Sequence, residues 1–325
     1  FVSQTSNLSS PSSAKVICNN IPGLVRRQRV LCERNTDLML AVAEGASLGI
    51  KECQFQFRNA KWNCSIFPRD SSVYGRQVLR STREASFVHA VNSAAVVYAV
   101  TRACNEGQLE HCECDPTKKG HFRDKRGQFT WGGCSDNIRF SSSFARRFID
   151  SSEKRQRDVK SKVTLHNNRV GRKSIRKQTK LQCKCHGVSG SCTHRTCWLS
   201  MSRFRLASEW LKHRYEKAVE VIAKPDGSGL LPRYKRKLRK IDLVYLERSP
   251  DYCQTLPEKG LLGTKGRECN VSSDGSDGCS ALCCGRGFYP QKKLVTSQCG
   301  CSFKWCCYVS CNTCRTWKTF HFCNN

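Results

Sequence analysis

The sequence has few acidic residues. Its 325 residues include 26 Asp and Glu against 56 Lys and Arg, which gives a formal net charge of +30. Such an excess of positive charge attracts polyanions, because condensed counterions are released on binding. The cysteine content described below places the chain outside the cell, so the predicted partner is a sulfated glycosaminoglycan such as heparan sulfate, or an anionic cell surface, rather than nucleic acid.

Long apolar runs are also missing. The most apolar stretch, within "STREASFVHAVNSAAVVYAVTRAC" (81–104), holds about 16 largely apolar residues and is interrupted by His89, Asn92 and Ser93. A membrane-spanning helix needs roughly 20 apolar residues, so we predict a buried helix here instead. The chain begins without a charged segment followed by an apolar core, and we expect that a signal peptide has been removed or omitted.

Cysteine, in contrast, is abundant, with 24 residues. An even number of this size is typical of an oxidised, secreted protein that is held together by disulfides. Structural zinc is the weaker alternative, because the short spacings are mostly CxC and CC and the eight histidines do not cluster near them. No cysteine occurs between Cys197 and Cys253, and we expect the chain to divide in this gap.

The part before the gap carries helical patterns. "NTDLMLAVAEGASLGIKECQFQF" (35–57) repeats apolar residues at spacings of three and four after an N-cap at Asn35 or Thr36. The stretch 81–104 opens with a capping box from Ser81 to Glu84. The run 145–181 mixes apolar and basic residues, which predicts amphipathic helix with loops and one solvated face.

The part after the gap has too few apolar residues for a conventional core. Disulfides must hold it together around short strands such as "FKWCCYVSC" (303–311). We therefore predict an α+β, disulfide-rich fold with three parts. These are a mainly helical N-terminal domain (1–223) that carries a stapled hairpin (183–197), a basic linker (224–252) and a small cysteine-rich β-hairpin finger domain at the C-terminus (253–325).

The linker begins with the turn-rich segment "KPDGSGLLP" (224–232) and continues into a cluster of cations. Two interpretations carry equal weight: a binding site for a polyanion, or a solvated strand edge. We refer to this set as the basic cluster; it comprises Arg233, Lys235, Arg236, Lys237, Arg239 and Lys240.

The segment "CKCHGVSGSCTHRTCW" (183–198) predicts a braced loop. Cysteines two apart on a strand point to one face, and a second strand can return to pair with them. Nested pairing of Cys185 with Cys192 and of Cys183 with Cys197 closes a loop from His186 to Ser191. Gly187 and Gly190 allow the positive φ angles of a tight loop, and Ser189 stands at its tip.

Ser189 allows three interpretations. A catalytic serine is disfavoured, because the position that should be glycine in a nucleophile elbow is Ser191, no strand-then-helix context surrounds it, and His186 is too close along the same loop. A serine that is simply a solvent-exposed loop residue does not explain why four cysteines brace so short a loop. The third interpretation is a rigidly held, exposed hydroxyl that a modifying enzyme recognises.

Several long motifs identify the sequence further. They are "QFRNAKWNC", "STREASFVHAV", "TRAC", "WGGCSDNI", "HNNRVGR", "CKCHGVSGSC" followed by "TCW", "CNVSSDGSDGCSALCCGRG" and "FKWCCYVSC". In this order they resemble the Wnt family of secreted morphogens across nearly the whole chain. Lys61 and Lys304 replace the Arg and His that the family often has at these positions.

The resemblance implies a secreted ligand without catalytic activity. It implies that Ser189 is O-acylated with palmitoleate by a membrane-bound acyltransferase. It also implies that the lipid on the thumb-like hairpin enters a groove in the cysteine-rich domain of Frizzled receptors. The finger tip is then expected to contact the opposite side of that domain. A co-receptor of the low-density-lipoprotein-receptor-related class then joins, and a carrier shields the lipid during secretion. The implied thumb contacts are Lys184, His186, Gly187, Val188, Ser189 and Gly190.

The finger contacts come from "FKWCCYV" (303–309), whose exposed aromatic and aliphatic groups predict a contact surface. Neighbouring Cα atoms are about 3.8 Å apart, below the usual range for a disulfide, so spacing alone leaves a bond between Cys306 and Cys307 open. The family pattern implies that this vicinal disulfide forms. The predicted finger contacts are Phe303, Trp305, Cys306, Cys307 and Val309.

The resemblance also implies the remaining disulfides and leaves no free thiol. The implied pairs are Cys18 with Cys32, Cys53 with Cys64, Cys104 with Cys112, Cys114 with Cys134, Cys253 with Cys284, Cys269 with Cys279, Cys283 with Cys323, Cys299 with Cys314 and Cys301 with Cys311. Three glycosylation sequons occur, at Asn7, Asn63 and Asn270, of which the latter two lie inside family motifs.

Two alternatives to a signalling ligand are compatible with the composition. One is a heparin-binding, disulfide-rich matrix protein whose charge is its function, and the remoter one is a serine hydrolase. Acylation of Ser189 would support the ligand, and an unmodified serine in active material would favour the matrix protein. Trapping of the serine by a fluorophosphonate would support the hydrolase.

Overall fold

The computed structural model describes most of the chain. Its described residues are 16, 18–21, 24–64, 81–118, 121–123, 129–156, 158–227, 229–256 and 261–325. They divide into two compact units. Unit 1 takes its residues from Phe1–Gln56 and Ile66–Ser249, and unit 2 takes its residues from Phe57–Ser65 and Pro250–Asn325.

Helices dominate unit 1. In chain order, the longer helices among the described residues are α1 (Arg26–Arg34), α2 (Thr36–Phe57), α3 (Arg83–Asn105), α4 (Ile138–Ile149), α5 (Val159–Lys177) and α6 (Phe204–Glu216). The α2 helix begins where the apolar spacing predicts, and α4 and α5 account for most of the basic, amphipathic run.

The α3 helix is the centre of unit 1, and α4, α5 and α6 pack against it. It is buried along most of its length, as its apolar content predicts. Two glycines allow neighbouring helices to approach its backbone closely. A Cβ at Gly171 of α5 would lie 1.9 Å from the carbonyl oxygen of Ala90, and one at Gly45 of α2 would lie 2.7 Å from the Cα of Val96. Any larger residue at either position would push the helices apart.

A buried ion pair joins these helices. Arg172 of α5 donates to both carboxylate oxygens of Asp150, at 3.0 and 2.9 Å, and also to the hydroxyl of Ser93 on α3 at 3.2 Å. Asn168 donates to the same carboxylate at 3.1 Å. Both charged groups are nearly inaccessible to solvent, so the pair is compensated by hydrogen bonds on several sides.

The start of α3 differs from the predicted capping box. The N-cap is Thr82, whose hydroxyl accepts from the backbone N–H of Ala85 at 3.4 Å. Glu84 does not reach back to the cap, because its carboxylate accepts from the hydroxyls of Tyr215 at 2.9 Å and Ser249 at 2.7 Å. A tertiary contact has therefore replaced the local one.

A four-stranded sheet carries the predicted hairpin. Its strand order is β1–β2–β4–β3, with β1 (His121–Arg123) antiparallel to β2 (Phe129–Gly132). The β4 strand (Arg195–Met201) runs parallel to β2 and antiparallel to β3 (Thr179–Cys185). The hairpin is thus rooted in a sheet at one end and free at the other.

The segment 224–252, for which the sequence predicts a basic linker, belongs to unit 1 up to Ser249. The β5 strand (Val219–Ala223) pairs antiparallel with β6 (Leu230–Pro232) and parallel with β7 (Val244–Tyr245). Buried Val219, Val221 and Val244 pack with Val163 beneath this sheet. The turn-rich composition of this segment is typical of a spacer. A few apolar residues are nevertheless enough to pack it into unit 1.

Unit 2 is built from short pairs and one long hairpin. The strands β8 (Thr255–Leu256) and β9 (Leu261–Leu262) pair with each other, and β10 (Glu268–Cys269) pairs with β12 (Tyr308–Cys323), which in turn pairs with β11 (Phe288–Lys304). A short helix, α7 (Cys279–Leu282), packs against β12. The small core at its base consists of Cys269, Cys279, Leu282, Cys283 and Cys323.

Candidate functional site

Two disulfides brace the hairpin formed by β3 and β4. Cys183 and Cys197 are directly opposite in the strand register and are bonded, with Cα atoms 4.1 Å apart. Cys185 is bonded to Cys192, with Cα atoms 4.6 Å apart. The nested pairing predicted from spacing is therefore present.

Backbone hydrogen bonds shape the tip above these disulfides. The amide of His186 donates to the carbonyl of His194 at 2.7 Å, and the amide of Gly187 donates to the carbonyl of Ser191 at 2.8 Å. Inside this closure, the amide of Gly190 donates to Gly187 and that of Ser191 to Val188. The loop is therefore a compact turn with its own hydrogen bonds.

Ser189 is exposed at the end of this turn and adopts a left-handed conformation, with φ 56° and ψ 28°. The side chain of Val188 beside it is 90% exposed. Left-handed backbone is costly for a residue that has a Cβ, so the disulfides and turn hydrogen bonds hold Ser189 in it. The result is a fixed, accessible hydroxyl next to an accessible apolar side chain.

The two flanking glycines serve different purposes. Gly190 has φ +77°, and a Cβ there would meet no atom within 4 Å, so it is needed for its backbone angle. Gly187 has φ −74°, contrary to the expectation of a positive angle. A Cβ at Gly187 would lie 2.0 Å from the hydroxyl and 2.5 Å from the carbonyl oxygen of Ser191, so this glycine is needed for space.

The contacts of His186 bear on the hydrolase alternative. Its Nε2 forms a hydrogen bond of 2.9 Å with the hydroxyl of Thr196 on β4. The imidazole is thus directed down the hairpin. General-base activation of Ser189 would require that ring in hydrogen-bonding reach of the serine hydroxyl.

The finger hairpin, which we define as β11 and β12 (288–323), is the second candidate contact element. Its strands pair from Phe288 opposite Cys323 to Lys304 opposite Tyr308, with an irregularity between Cys299 and Ser302. Both strands are exposed along nearly their whole length. Two disulfides cross the hairpin, Cys299–Cys314 and Cys301–Cys311.

The finger tip (303–309) presents apolar groups to solvent. Trp305 is 94% exposed, and Phe303, Tyr308 and Val309 are all more than 60% exposed. Phe303 and Val309 are directly opposite each other across the strands. These side chains are too exposed to form a core, which is the property expected of a contact surface.

The predicted vicinal disulfide is not formed. The Sγ atoms of Cys306 and Cys307 are 3.6 Å apart, well beyond the bond length of about 2.0 Å, and both residues are exposed free thiols. Both also have positive φ, 70° and 94°. Adjacent Cα atoms are closer than a disulfide normally tolerates, and this turn leaves the two sulfurs in contact without a bond.

The other disulfides seen among the described residues are those that the family resemblance implies. Cys53 and Cys64 are each disulfide-bonded as well. Besides the four disulfides of the two hairpins, the pairs are Cys18–Cys32, Cys104–Cys112, Cys114–Cys134, Cys253–Cys284, Cys269–Cys279 and Cys283–Cys323. The sulfurs of Cys269, Cys283 and Cys323 lie within 4.8 Å of one another, but all three belong to disulfides and offer no thiolate to a metal.

The basic cluster is partly neutralised within unit 1. Arg233 forms an ion pair of 2.6 Å with Glu220, and Arg239 and Arg236 approach Asp242 at 3.0 and 3.8 Å. Burial alone would raise the pKa of Asp242, but hydrogen bonds from Arg239 hold that pKa below its ordinary value. The remaining members, Lys235, Lys237 and Lys240, are exposed lysines.

The sequons fall in different surroundings. Asn270 is exposed, and its Oδ1 accepts from the backbone N–H and the hydroxyl of Ser272 at 3.1 and 2.9 Å. Asn63 is partly buried beside Cys64. Asn7 lies outside the described residues.

Comparison with known proteins adds to this geometry. A model of the Wnt family matches residues 20–324. Protein Wnt-2b of Homo sapiens is 51% identical over 312 residues, which cover 95% of this chain and 80% of that protein. Protein Wnt-2b-A of Xenopus laevis is 50% identical over 312 residues, which cover 95% of this chain and 89% of that protein.

The chain belongs to the Wnt family. Among solved structures, human WLS in complex with WNT8A matches with a TM-score of 0.67 and 39% identity, over 87% of this chain and 93% of that one. The predicted combination of a helical N-terminal part and a disulfide-rich β-hairpin C-terminal part is confirmed as the Wnt fold. As a Wnt, the protein is a secreted, non-enzymatic signalling ligand. Across the described residues, none of the helices has the length and apolar content to span a bilayer.

Sequence reasoning missed Arg267 of this Wnt. Its guanidinium donates to the carbonyls of Ala60 and Lys61, both at 2.8 Å, and to that of Arg58 at 3.0 Å. One side chain therefore organises the loop of the "QFRNAKWNC" motif, which contains the Asn63 sequon. A lone arginine in "TKGREC" gives no periodic signal, and its partners are about 200 residues away in sequence.

Proposed function

We propose that Ser189 is O-acylated with palmitoleate by a membrane-bound O-acyltransferase, and that the acylated hairpin places its lipid in a groove of the Frizzled cysteine-rich domain. The observation that carries this proposal is the exposed, left-handed Ser189 on a turn closed by two disulfides. A serine with an ordinary surface role needs no such bracing.

The energetics favour a lipid contact. Burial of hydrocarbon contributes about 0.8 kcal/mol per CH₂, so a chain of ~16 carbons contributes at most on the order of 10 kcal/mol before ordering costs. A rigid tip has already lost most of the entropy that a flexible loop would lose on docking. Lys184, His186 and Val188 are exposed on the same hairpin and complete the proposed thumb contact.

The finger tip is the second proposed receptor contact. Exposed aromatic residues at the end of a rigid hairpin are the residue types that dominate binding energy at protein interfaces. Trp305→Ala should weaken binding to the Frizzled domain by about 2 kcal/mol while secretion and acylation stay intact. Trp317 is 70% exposed on β12, away from the tip, and Trp317→Ala is the matched control; equal losses in both variants would contradict a tip-specific contact.

Further partners follow from family membership. We propose that a co-receptor related to the low-density-lipoprotein receptor joins the Frizzled complex, and that a carrier of the WLS kind shields the lipid before release. The match to human WLS in complex with WNT8A supports the carrier. Glycosylation at Asn63 and Asn270, and association with heparan sulfate at the cell surface or matrix, complete the proposal.

The decisive experiment replaces Ser189. Ser189→Ala should be secreted with its disulfides intact but lack the acyl mass on the peptide containing residue 189, and bind the Frizzled domain far more weakly. Ser191→Ala is the control, since this hydroxyl lies lower on the hairpin near Thr193. Ser189→Gly separates the hydroxyl from the backbone, because glycine adopts positive φ without strain. Full receptor binding by either unacylated Ser189 variant would refute the proposal.

A further inference from the structure

A groove in unit 1 lies where α1 meets α4 and the turn that follows α4. Its volume is about 540 Å³. The two helices are fixed to each other by Gln28 of α1, whose buried amide donates to the carbonyl of Phe148 at 3.0 Å. The groove is lined by Arg26, Arg27, Val30, Leu31, Arg147, Ser151 and Lys154.

The charge around this α1–α4 groove is uncompensated. Four of the lining residues are cations, none is acidic, and none of the four cations forms an ion pair with another described residue. Asp150, next to lining residue Ser151, is turned inward and neutralised by Arg172. The basic cluster at 233–240 differs, because three of its arginines already face carboxylates.

The floor of the groove is apolar. Val30 is 39% exposed and Leu31 is partly exposed, and they lie one helical turn after Arg26 and Arg27. A sulfated polysaccharide would gain from the cations but little from an aliphatic floor. A ligand that combines an anionic group with hydrocarbon gains from both.

We propose that the α1–α4 groove binds an anionic lipid at a membrane surface. The phosphate or carboxylate of the headgroup lies among Arg26, Arg27, Arg147 and Lys154, and the upper part of the acyl chains contacts Val30 and Leu31. The net charge of +30 draws the protein towards such a surface before the groove engages. Binding at this site does not require Ser189. It would add to an acyl chain on Ser189, because a single acyl chain holds a protein to a membrane firmly only with a second signal such as a basic patch.

The test uses the full-length Ser189→Ala protein, so that acylation of residue 189 does not anchor it. Its binding is measured by co-sedimentation with phosphatidylcholine vesicles that contain or lack phosphatidylserine. Neutralising Arg27 and Arg147 together to Gln should weaken binding to the phosphatidylserine vesicles about 25-fold, since each basic contact near an anionic bilayer contributes about fivefold. All arginines in the test are exposed, so circular dichroism should show an unchanged fold.

Two controls decide the outcome. Arg139 and Arg146 lie on the same helix, α4, but outside the groove, and their joint replacement by Gln should weaken binding no more than a few-fold. Val30→Gln should weaken vesicle binding several-fold at constant charge. Equal losses from both arginine pairs would refute a localised site. A different result would assign the groove to a polysaccharide and overturn the lipid proposal. In that case Arg27→Gln/Arg147→Gln would lose salt-sensitive binding to heparin, and Val30→Gln would not change binding to vesicles.

Discussion

Replacing Gly187 with alanine tests whether the shape of the hairpin tip matters separately from the Ser189 hydroxyl. The new Cβ would lie 2.0 Å from the Ser191 hydroxyl, 2.5 Å from its carbonyl oxygen and 2.5 Å from the hydroxyl of Thr193. The hydroxyls can rotate away, but the carbonyl is backbone and accepts the hydrogen bond of the Gly187 amide at 2.8 Å. The turn must therefore open.

The expected cost follows from these contacts. Overpacking costs about 1–3 kcal/mol, and the lost hydrogen bond adds about 1 kcal/mol. A total of about 2–4 kcal/mol corresponds to a reduction of the native tip conformation by roughly 100-fold. The disulfides should survive, because both are formed below the clash.

Gly190→Ala is the matched control. Its Cβ would meet no atom within 4 Å, so the cost is that of a left-handed alanine, about 1–2 kcal/mol, or roughly tenfold. Acylation of the peptide containing residue 189 and binding to the Frizzled domain report the effect on function, and hydrogen exchange at residues 187–191 reports the turn itself. Native hydrogen exchange at residues 187–191 in Gly187→Ala would refute the reasoning about space, whatever acylation does.

Other predictions concern the rest of unit 1. Desolvation of the His89 ring within α3 and its neighbours lowers the pKa of His89 from 6.5 to about 4, so near pH 5 the unfolded chain binds a proton that the folded chain does not. The free energy of unfolding should therefore fall between pH 7 and pH 5, by at most about 2 kcal/mol. Urea unfolding at the two pH values measures this difference, which should be absent in His89→Gln. Arg172→Met should cost about 3–5 kcal/mol of unfolding free energy by stranding a buried carboxylate, and a loss below about 1 kcal/mol would contradict the role of the ion pair. Replacing Lys235 and Lys237 with Gln should lower the salt needed to elute the protein from heparin if the basic cluster binds it, and unchanged elution would remove that site.

The hairpin tip was largely predictable because its signal is local. Four cysteines within 15 residues restrict the pairings, and the glycines between them leave Ser189 at the end of the loop. The individual role of Gly187 was not predictable, since spacing does not reveal that Ser191 folds back over it. The cap of α3 shows the same limit, because Glu84 has the correct spacing for a capping box yet binds Tyr215 and Ser249 instead.

Features that depend on distant partners could not be read from the sequence. The segment 224–249 has the composition of a linker, and its folding rests on the pairing of β5 with β7. The α1–α4 groove joins residues more than 100 positions apart. The bond between Cys306 and Cys307 was inferred from the family pattern, while local geometry left it open; the structure holds two thiols there.

The finger hairpin has 17 and 16 residues in its two strands and almost no buried side chains. An isolated two-stranded hairpin of this kind is marginal in water, so its order depends on covalent crossbridges and on the anchoring of Cys323 at its base. The cysteines therefore stabilise the finger hairpin, and the proposed receptor contact is made by other residues. Most finger side chains can change without loss of folding, which leaves this surface free to diversify towards new receptors while the sulfur framework stays constant.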